Sequence, residues 1–170
     1  MSITLSDFKN NLQDVLRPNR FLLLFNTPTG VSTDTTKLSY LVKAASLPMM
    51  KVTPINVAWQ GIETKMAGDF EFDDWKVTFY DDYAYQARSF IENWMQMIAN
   101  PLTNIRSVQA SYQTNITAQQ LGRDGEVIGE YNLIGQPNEV AAITLSQEDM
   151  SKIIEFEATF SIDYWTRITP

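Results

Sequence analysis

Alternation of apolar and polar side chains predicts a chain built mainly from β-strands. From Ile154 to Tyr164 every second residue is apolar, a pattern typical of a long strand with one face in the core. The same alternation runs from Trp75 to Phe79. The continuous apolar run from Phe21 to Phe25 predicts a strand buried on both faces, and residues Tyr40 to Ala45 predict a second strand.

A hairpin is predicted in the second half of the chain. Thr114 to Arg123 and Glu126 to Ile134 both have strand character, and they flank the dipeptide Asp124-Gly125. Two-residue Asp-Gly connections favour the tight turns that join antiparallel strands. Val140 to Leu145 predicts a further short strand.

Two segments have helical spacing instead. A short N-terminal helix is predicted between Leu5 and Leu16, with Ser6 as its N-cap and Pro18 ending it. One long helix is predicted to end at Asn100-Pro101. Its apolar stripe consists of Tyr83, Ala87, Phe90, Trp94 and Ile98. Without any β-α-β rhythm, these elements predict a mainly β sandwich or barrel with one long flanking helix.

The segment from Lys51 to Gly68 is apolar but interrupted by Pro54 and Gly61, which predicts a partly β excursion away from the core. On a single chain its apolar side chains would form an exposed patch, the usual mark of a protein interface. The alternative is that the segment folds back over its own sandwich. The apolar residues concerned are Val52, Ile55, Val57, Trp59, Ile62 and Met66.

Composition argues against catalysis. The chain has 170 residues, the size of one domain, and contains neither Cys nor His. Disulfides, thiolate nucleophiles, His or Cys metal sites and Ser-His-Asp triads are therefore excluded. An enzyme would have to rely on carboxylates, Lys, Tyr or Ser-Lys chemistry, so we expect a single non-enzymatic domain over residues 1–170.

Charge is unevenly distributed along the acidic chain, whose net charge is -7. Residues 1–62 carry six bases and three acids, residues 63–82 two bases and seven acids, and residues 83–170 five bases and ten acids. The chain as a whole lacks the basic footprint of a tight nucleic-acid binder. The segregation permits head-to-tail self-association, although a solvated surface would account for it equally well.

The acidic stretch Asp69 to Asp74 is the one candidate metal site. It fails the EF-hand template, because Asp74 stands where the loop needs Gly and Tyr80 where it needs Glu. We therefore expect a solvated strand entry and no metal or cofactor. The N-terminus lacks a signal-peptide pattern, and no apolar run approaches the ~20 residues of a spanning helix, so we expect a soluble chain without a membrane partner.

Four blocks of sequence carry a family resemblance: Arg17 to Phe21, Ala44 to Pro48, Gly68 to Asp82 and Phe160 to Trp165. In order and spacing they resemble the tail tube proteins of contractile-tailed bacteriophages. The Asp-Asp-Trp strand that leads into an acidic turn and a long helix is the most specific element.

This resemblance implies a structural virion protein. Such subunits are β-sandwiches with a flanking helix that form hexameric rings. The rings stack inside a sheath, and their inner sheets join into one barrel around a DNA channel. The implied partners are the chain itself, the tail sheath, baseplate and tail-terminator proteins. The tape measure protein and DNA pass through the lumen without specific binding, and the implied location is the virion tail, assembled in the host cytoplasm.

Two other functions stay open at this stage. The inner tube of a bacterial contractile injection system has the same architecture and passes protein effectors. A carboxylate-based hydrolase is a more distant alternative.

Three surfaces follow from the resemblance. The Lys51–Gly68 segment is expected to stack one ring on the next, through the apolar residues given above together with Lys65. Hairpin positions that face away from the core are expected to line the lumen: Gln119, Glu126, Glu130 and Asn132. The exposed stripe of the long helix is expected to face the sheath: Arg88, Glu92 and Gln96.

Overall fold

The computed structural model describes residues 4–12, 15–148 and 152–168, which contain four helices and eight strands. The helices are α1 (Leu5–Leu12), α2 (Thr35–Tyr40), α3 (Gln86–Ile98) and α4 (Gln109–Tyr112). The strands are β1 (Phe21–Phe25), β2 (Val42–Ala45), β3 (Lys51–Trp59), β4 (Ile62–Glu71), β5 (Trp75–Tyr80), β6 (Thr114–Leu121), β7 (Val127–Val140) and β8 (Glu155–Ile168).

Six strands form one antiparallel sheet in the order β1-β6-β7-β8-β5-β2. The outer strands β1 and β2 approach each other across a small cleft lined by Leu23 and Ala45, so the sheet is a nearly closed barrel. Strands β3 and β4 pair with each other in a separate sheet. The prediction of a mainly β fold with a long flanking helix is confirmed.

Aromatic side chains fill the barrel and attach α3 to it. The ring of Phe160 on β8 lies 6.1 Å from Phe25 on β1 and 5.8 Å from Trp75 on β5. It also lies 6.1 Å from Trp94 on α3, which in turn is 5.5 Å from Phe90. These rings are at most 2% exposed. Each tilted pair adds about 0.5–1.5 kcal/mol to the stability that burial alone provides.

The two fully buried indoles also anchor loops. Trp94 Nε1 donates to the Tyr112 carbonyl at 2.7 Å, and Trp75 Nε1 donates to the Ser46 carbonyl at 2.6 Å. A buried indole N–H without an acceptor would cost about 1–3 kcal/mol. These bonds therefore fix the positions of α4 and of the segment that follows β2.

Helix α3 buries the predicted stripe at Ala87, Phe90 and Trp94, and Ile91 joins it. Tyr83 does not belong to the stripe, because it precedes the helix and is fully exposed. The left-handed backbone of Tyr85 (φ 51°) separates this exposed turn from the helix.

The N-terminal helix has a different cap from the one predicted. Thr4 Oγ1 accepts from Asp7 N at 3.3 Å, and Thr4 N donates to the Asp7 carboxylate at 3.1 Å. This reciprocal pattern is a capping box with Thr4, not Ser6, at the N-cap. Helix α1 buries no side chain. Of the predicted continuation toward Leu16, residues 13–14 lie outside the described residues.

Helix α2 occupies part of a segment predicted as loop and strand. Asp34 Oδ1 accepts the N–H groups of Thr36 and Lys37 at 3.1 and 3.2 Å, which starts the helix. The predicted strand from Tyr40 to Ala45 consequently shortens to β2. Strand β1 also departs from its prediction, since Leu24 is 39% exposed and only one face is buried.

Strand β7 is longer than predicted. It runs through Gly135 and Pro137, and two irregularities in its register with β8 accommodate them. A Cβ on Gly135 would lie 2.4 Å from Ser161 O, so this close approach requires glycine. The separate strand predicted from Val140 to Leu145 is wrong, because β7 ends at Val140 and the residues after it are irregular.

We predict that Phe160→Ala destabilises the chain by about 3–5 kcal/mol, because it removes the ring that joins three elements. Urea unfolding followed by tryptophan fluorescence measures the free energy of unfolding. Tyr83→Ala, at a fully exposed aromatic position, is the matched control and should change it by less than about 0.5 kcal/mol. Equal effects of the two substitutions would contradict the assignment of Phe160 to the centre of the core.

Candidate assembly surfaces

Strands β3 and β4 form a hairpin that stands away from the barrel. Their register runs from Lys51 opposite Glu71 to Trp59 opposite Ile62, with one irregularity near Pro54. The turn residues Gln60 and Gly61 have φ values of 45° and 84°, as a two-residue hairpin turn requires. Nearly every side chain of both strands is exposed. The segment therefore does not fold back over its own barrel.

The hairpin is amphipathic. Alternate residues of one strand share a face, and so do residues directly opposite each other on paired strands. Asn56 and Lys65 are directly opposite, and Glu63 lies two residues before Lys65, so these three residues form a polar face. The structure thus places Lys65 on the side opposite the apolar residues with which it was grouped. The apolar face is 40–69% exposed at each position and consists of Ile55, Val57, Trp59, Ile62 and Met66.

The hairpin root is fixed by different contacts. Val52 lies opposite Phe70, below the irregularity, and Lys51 Nζ lies 3.2 Å from the Glu71 carboxylate. The polar side chains of Thr53 and Lys51 near its carboxylate lower the pKa of Glu71. Both Val52 and Phe70 are exposed, at 41% and 63%. The sequence analysis missed Phe70, although its position in an apolar–acidic alternation signalled an exposed strand.

The outward face of β6 and β7 carries polar pairs. Thr117 Oγ1 donates to Asn132 Oδ1 at 2.8 Å, and Gln119 Nε2 donates to Glu130 Oε2 at 2.7 Å. Each pair lies directly across the ladder, on the face opposite the buried Ile116. Three of the four predicted lumen residues therefore share one surface.

Glu126 is not part of that surface. It lies in the turn between the strands, where its carboxylate accepts from Asp124 N at 3.1 Å. Its carbonyl also accepts from Gly122 N at 2.8 Å. The role of Glu126 in the structure is to close the hairpin turn.

The exposed side of α3 contains the three predicted sheath-facing residues, but they are not equivalent. Arg88 Nε lies 2.6 Å from Glu92 Oε1, and its guanidinium also donates to Ala141 O at 3.2 Å. The same group stacks 5.7 Å from the ring of Phe156. Glu92 and Gln96 are exposed, so they are the more available pair.

Two carboxylates position the start of α3. The Asp82 carboxylate accepts from Gln86 N at 3.0 Å and pairs with Lys37 Nζ at 2.5 Å. Both contacts lower the pKa of Asp82, and the contact with Lys37 has the larger effect. Burial raises the pKa of the neighbouring Asp81, whose Oδ2 is buried without a hydrogen-bond partner among the described residues. Asp82 thus joins α2 to the turn that orients α3.

Helix α1 presents a further apolar face that the sequence analysis did not assign to any surface. Leu5, Phe8 and Leu12 recur at helical spacing and are 69, 55 and 47% exposed. Their spacing showed that the helix is amphipathic, but spacing alone does not tell which surface its apolar side contacts.

The acidic stretch from Asp69 to Asp74, which spans the end of β4 and the residues before β5, is open to solvent. Asp69 and Asp73 are exposed, while Asp74 accepts from Ser161 Oγ at 3.0 Å. Within the described part of the chain no three Asp or Glu side chains are grouped as metal ligands. No helix in the same ranges is long and apolar enough to cross a membrane.

An aromatic-filled barrel that exposes an amphipathic hairpin defines a structural subunit whose working surfaces lie outside the barrel. Its family is shown by sequence: residues 16–168 match the family of phage tail tube proteins, and the chain belongs to that family. The predicted family is confirmed.

Sequence similarity to individual proteins supports the same family assignment. The chain is 30% identical over 155 residues to tail tube protein gp19 of Enterobacteria phage T4, a match that covers 89% of this chain and 91% of the T4 protein. The values for gp19 of Enterobacteria phage T6 are the same.

Solved structures share the fold at low identity. A chain of the sheath–tube complex of an extracellular contractile injection system, PVC, superposes with a TM-score of 0.67 at 13% identity, covering 99% of this chain and 100% of that one. A chain of the tube-terminating cap of the anti-feeding prophage gives 0.69 at 16% identity, covering 93% of each.

We predict that Lys37→Met raises the pKa of Asp82 toward its ordinary value of 3.8, with the Gln86 N–H bond retaining part of the lowering. Because the folded pKa is lowered, the stability that Asp82 contributes is complete above 3.8 and is lost as the pH falls through the folded value. In the variant the folded pKa lies closer to 3.8, so the contribution of Asp82 is smaller and its loss is complete at a higher pH.

An NMR titration of the Asp82 carboxyl carbon measures the shift. Lys65→Met, on the hairpin, is the matched control and should leave the pKa of Asp82 unchanged. An unchanged pKa in Lys37→Met as well would show that the backbone contact alone lowers it.

Proposed function

We propose that this chain is the subunit of a contractile-tail tube, in which hexameric rings stack inside a sheath and enclose the channel for DNA. One observation carries the proposal: this chain, a member of the tail tube family, leaves the whole apolar face of a long hairpin uncovered. An exposed apolar face of this size favours burial against a second copy. Residues 1–170 act as one tail-tube domain.

The apolar face of the β3–β4 hairpin makes the contact between rings. Large aromatic residues dominate the energetics of such contacts, and Trp59, at 69% exposure, lies at the end of the hairpin. Lys65, on the polar face, helps to set the register rather than the strength of the contact, as rim charges do.

The outward face of β6 and β7 lines the channel. Gln119 and Asn132 are neutral, and Glu130 is paired with Gln119, so the surface offers no cation to a phosphate. A channel lined in this way lets DNA pass without adhesion, because tight binding of DNA depends on Lys and Arg contacts to phosphates. Glu126 contributes at the mouth of the channel, from the hairpin turn.

The exposed stripe of α3 faces the sheath through Glu92 and Gln96, with Arg88 holding the helix to the barrel. The other partners are the baseplate and tail-terminator proteins at the two ends of the tube, and the tape measure protein within it. The subunit needs no cofactor, metal or membrane partner. It assembles in the host cytoplasm and remains in the virion tail.

A second candidate is the inner tube of a contractile injection system. The fold similarity to the PVC and anti-feeding prophage chains supports it. Reconstituted tubes filled with protein rather than DNA would favour this candidate. A carboxylate-based hydrolase has no support in the geometry, because the acids from Asp69 to Asp74 are exposed to solvent.

We predict that Trp59→Ala leaves the melting temperature of the single chain unchanged while tube formation falls by about tenfold or more, as expected for an interface hot spot. Electron microscopy and sedimentation of the purified protein measure assembly, and calorimetry of dilute protein measures melting. Tyr83→Ala provides the control at another exposed aromatic residue. A variant that melts markedly earlier would place Trp59 in the core instead.

We predict that Asn132→Cys is protected in assembled tubes and reactive in single chains. The chain has no natural cysteine, so each introduced thiol is the only one. A maleimide attached to a polymer too large to enter the channel should label Glu92→Cys in both states, provided that no sheath is present. Equal labelling of Asn132→Cys before and after assembly would place the β6–β7 face on the outer wall.

A further inference from the structure

A cavity beside the β6–β7 turn is lined by three guanidinium groups. It has a volume of about 340 Å³ and is bounded by Arg17, Arg20 and Arg123, with Glu126 on its wall. The described residues that line the cavity include three arginines and one glutamate, in a chain whose net charge is -7. Such a concentration of positive charge in an acidic chain indicates a binding surface for an anionic group.

The walls of the cavity are fixed by backbone contacts. Arg20 Nη1 donates to Gly122 O at 3.0 Å, and Leu121 N donates to Arg20 O at 2.9 Å. Glu126 is committed to the turn through Asp124 N. The guanidinium group of Arg20 is therefore carried by an ordered junction between the start of β1 and the end of β6.

This chain does not neutralise two of the three arginines itself. Within residues 4–12, 15–148 and 152–168, neither Arg17 nor Arg20 forms an ion pair with a carboxylate. Arg17 is exposed. A guanidinium group presents several N–H donors in a planar fork that matches a carboxylate in bidentate geometry.

Matching carboxylates are present elsewhere on the same chain. Asp69 and Asp73 are exposed, and neither forms an ion pair among the described residues. Their neighbour Glu71 is already paired with Lys51. Each subunit thus carries one cationic cavity and one pair of unused carboxylates, which is what a head-to-tail contact between identical subunits requires.

We propose that the cavity receives the carboxylates of Asp69 and Asp73 from a second copy of the chain. This inference rests on the proposed function, because it supplies one contact between adjacent subunits of the tube. It assigns a role to the acidic stretch that is neither metal binding nor solvation alone. The contact fixes the relative register of the subunits, and the apolar hairpin face supplies the area.

Charge reversal and its compensation test the proposal. Arg17→Glu is compared with wild type, with the double variant Asp69→Lys/Asp73→Lys, and with the triple variant that combines all three changes. Arg106→Glu, at an exposed arginine outside the cavity, is the matched control. Assembly is measured by sedimentation and electron microscopy at several salt concentrations, and folding by melting temperature. Arg17→Gln is added in case the charge reversal disturbs folding.

We expect Arg17→Glu and the double variant to melt like wild type and to lower the assembled fraction by about tenfold or more. The triple variant should restore assembly, and Arg106→Glu should assemble normally. High salt should weaken wild-type assembly more than that of Arg17→Gln.

Normal assembly of both Arg17 variants, or a triple variant that stays as defective as its parents, would overturn the inference. Either result with wild-type tubes present would leave the proposed function intact. A wild-type chain that remains single under every condition would overturn the proposed function, and the inference with it.

Discussion

The ring of Phe160 contacts aromatic rings from β1, β5 and α3, and these elements are widely separated along the chain. Their meeting point holds the barrel strands and the helix in one core. Bulky rings pack the interior of the barrel, and the surfaces proposed for assembly lie outside it. The same core keeps α3 rigid, so that the helix presents a fixed set of side chains outward.

The exposed apolar hairpin and the acidic charge of the chain have opposite effects on association between copies. The uncovered face of β3 and β4 favours association, while a net charge of -7 keeps copies apart. Edge-to-edge pairing is limited because the barrel is nearly closed and because Lys and Glu occupy the polar face of the hairpin. Apolar exposure and net charge therefore act in opposite directions on self-association.

Sequence patterns predicted the elements whose residues are decided locally. The period-two alternation of β8 and the buried stripe of α3 depend on near neighbours, and both lie where they were expected. The β6–β7 hairpin is also present, but its connection runs from Gly122 to Glu126 and is longer than the predicted two-residue Asp-Gly turn. The failures had two different causes. Strand β7 crosses Gly135 and Pro137 because β8, distant in sequence, supplies a partner there. Helix α2 has a local cause, because Asp34 caps the N–H groups of Thr36 and Lys37 within a segment whose Ser/Thr content favoured a loop. Likewise, alternation placed Gln119 and Asn132 on one face of the hairpin. It could not show that Lys65 and Trp59 lie on different faces of the β3–β4 hairpin, because that depends on the register between the two strands.

The pairing of β7 with β8 has a mechanical consequence. These two strands of 14 residues run antiparallel along most of their length and form the longest ladder of the barrel. A pull along the strand direction loads such a ladder in shear, so that many hydrogen bonds resist together instead of breaking one after another. A force along the strands would therefore be resisted most by the β7–β8 ladder, which pairs many more residues than the short strand β2 pairs with β5.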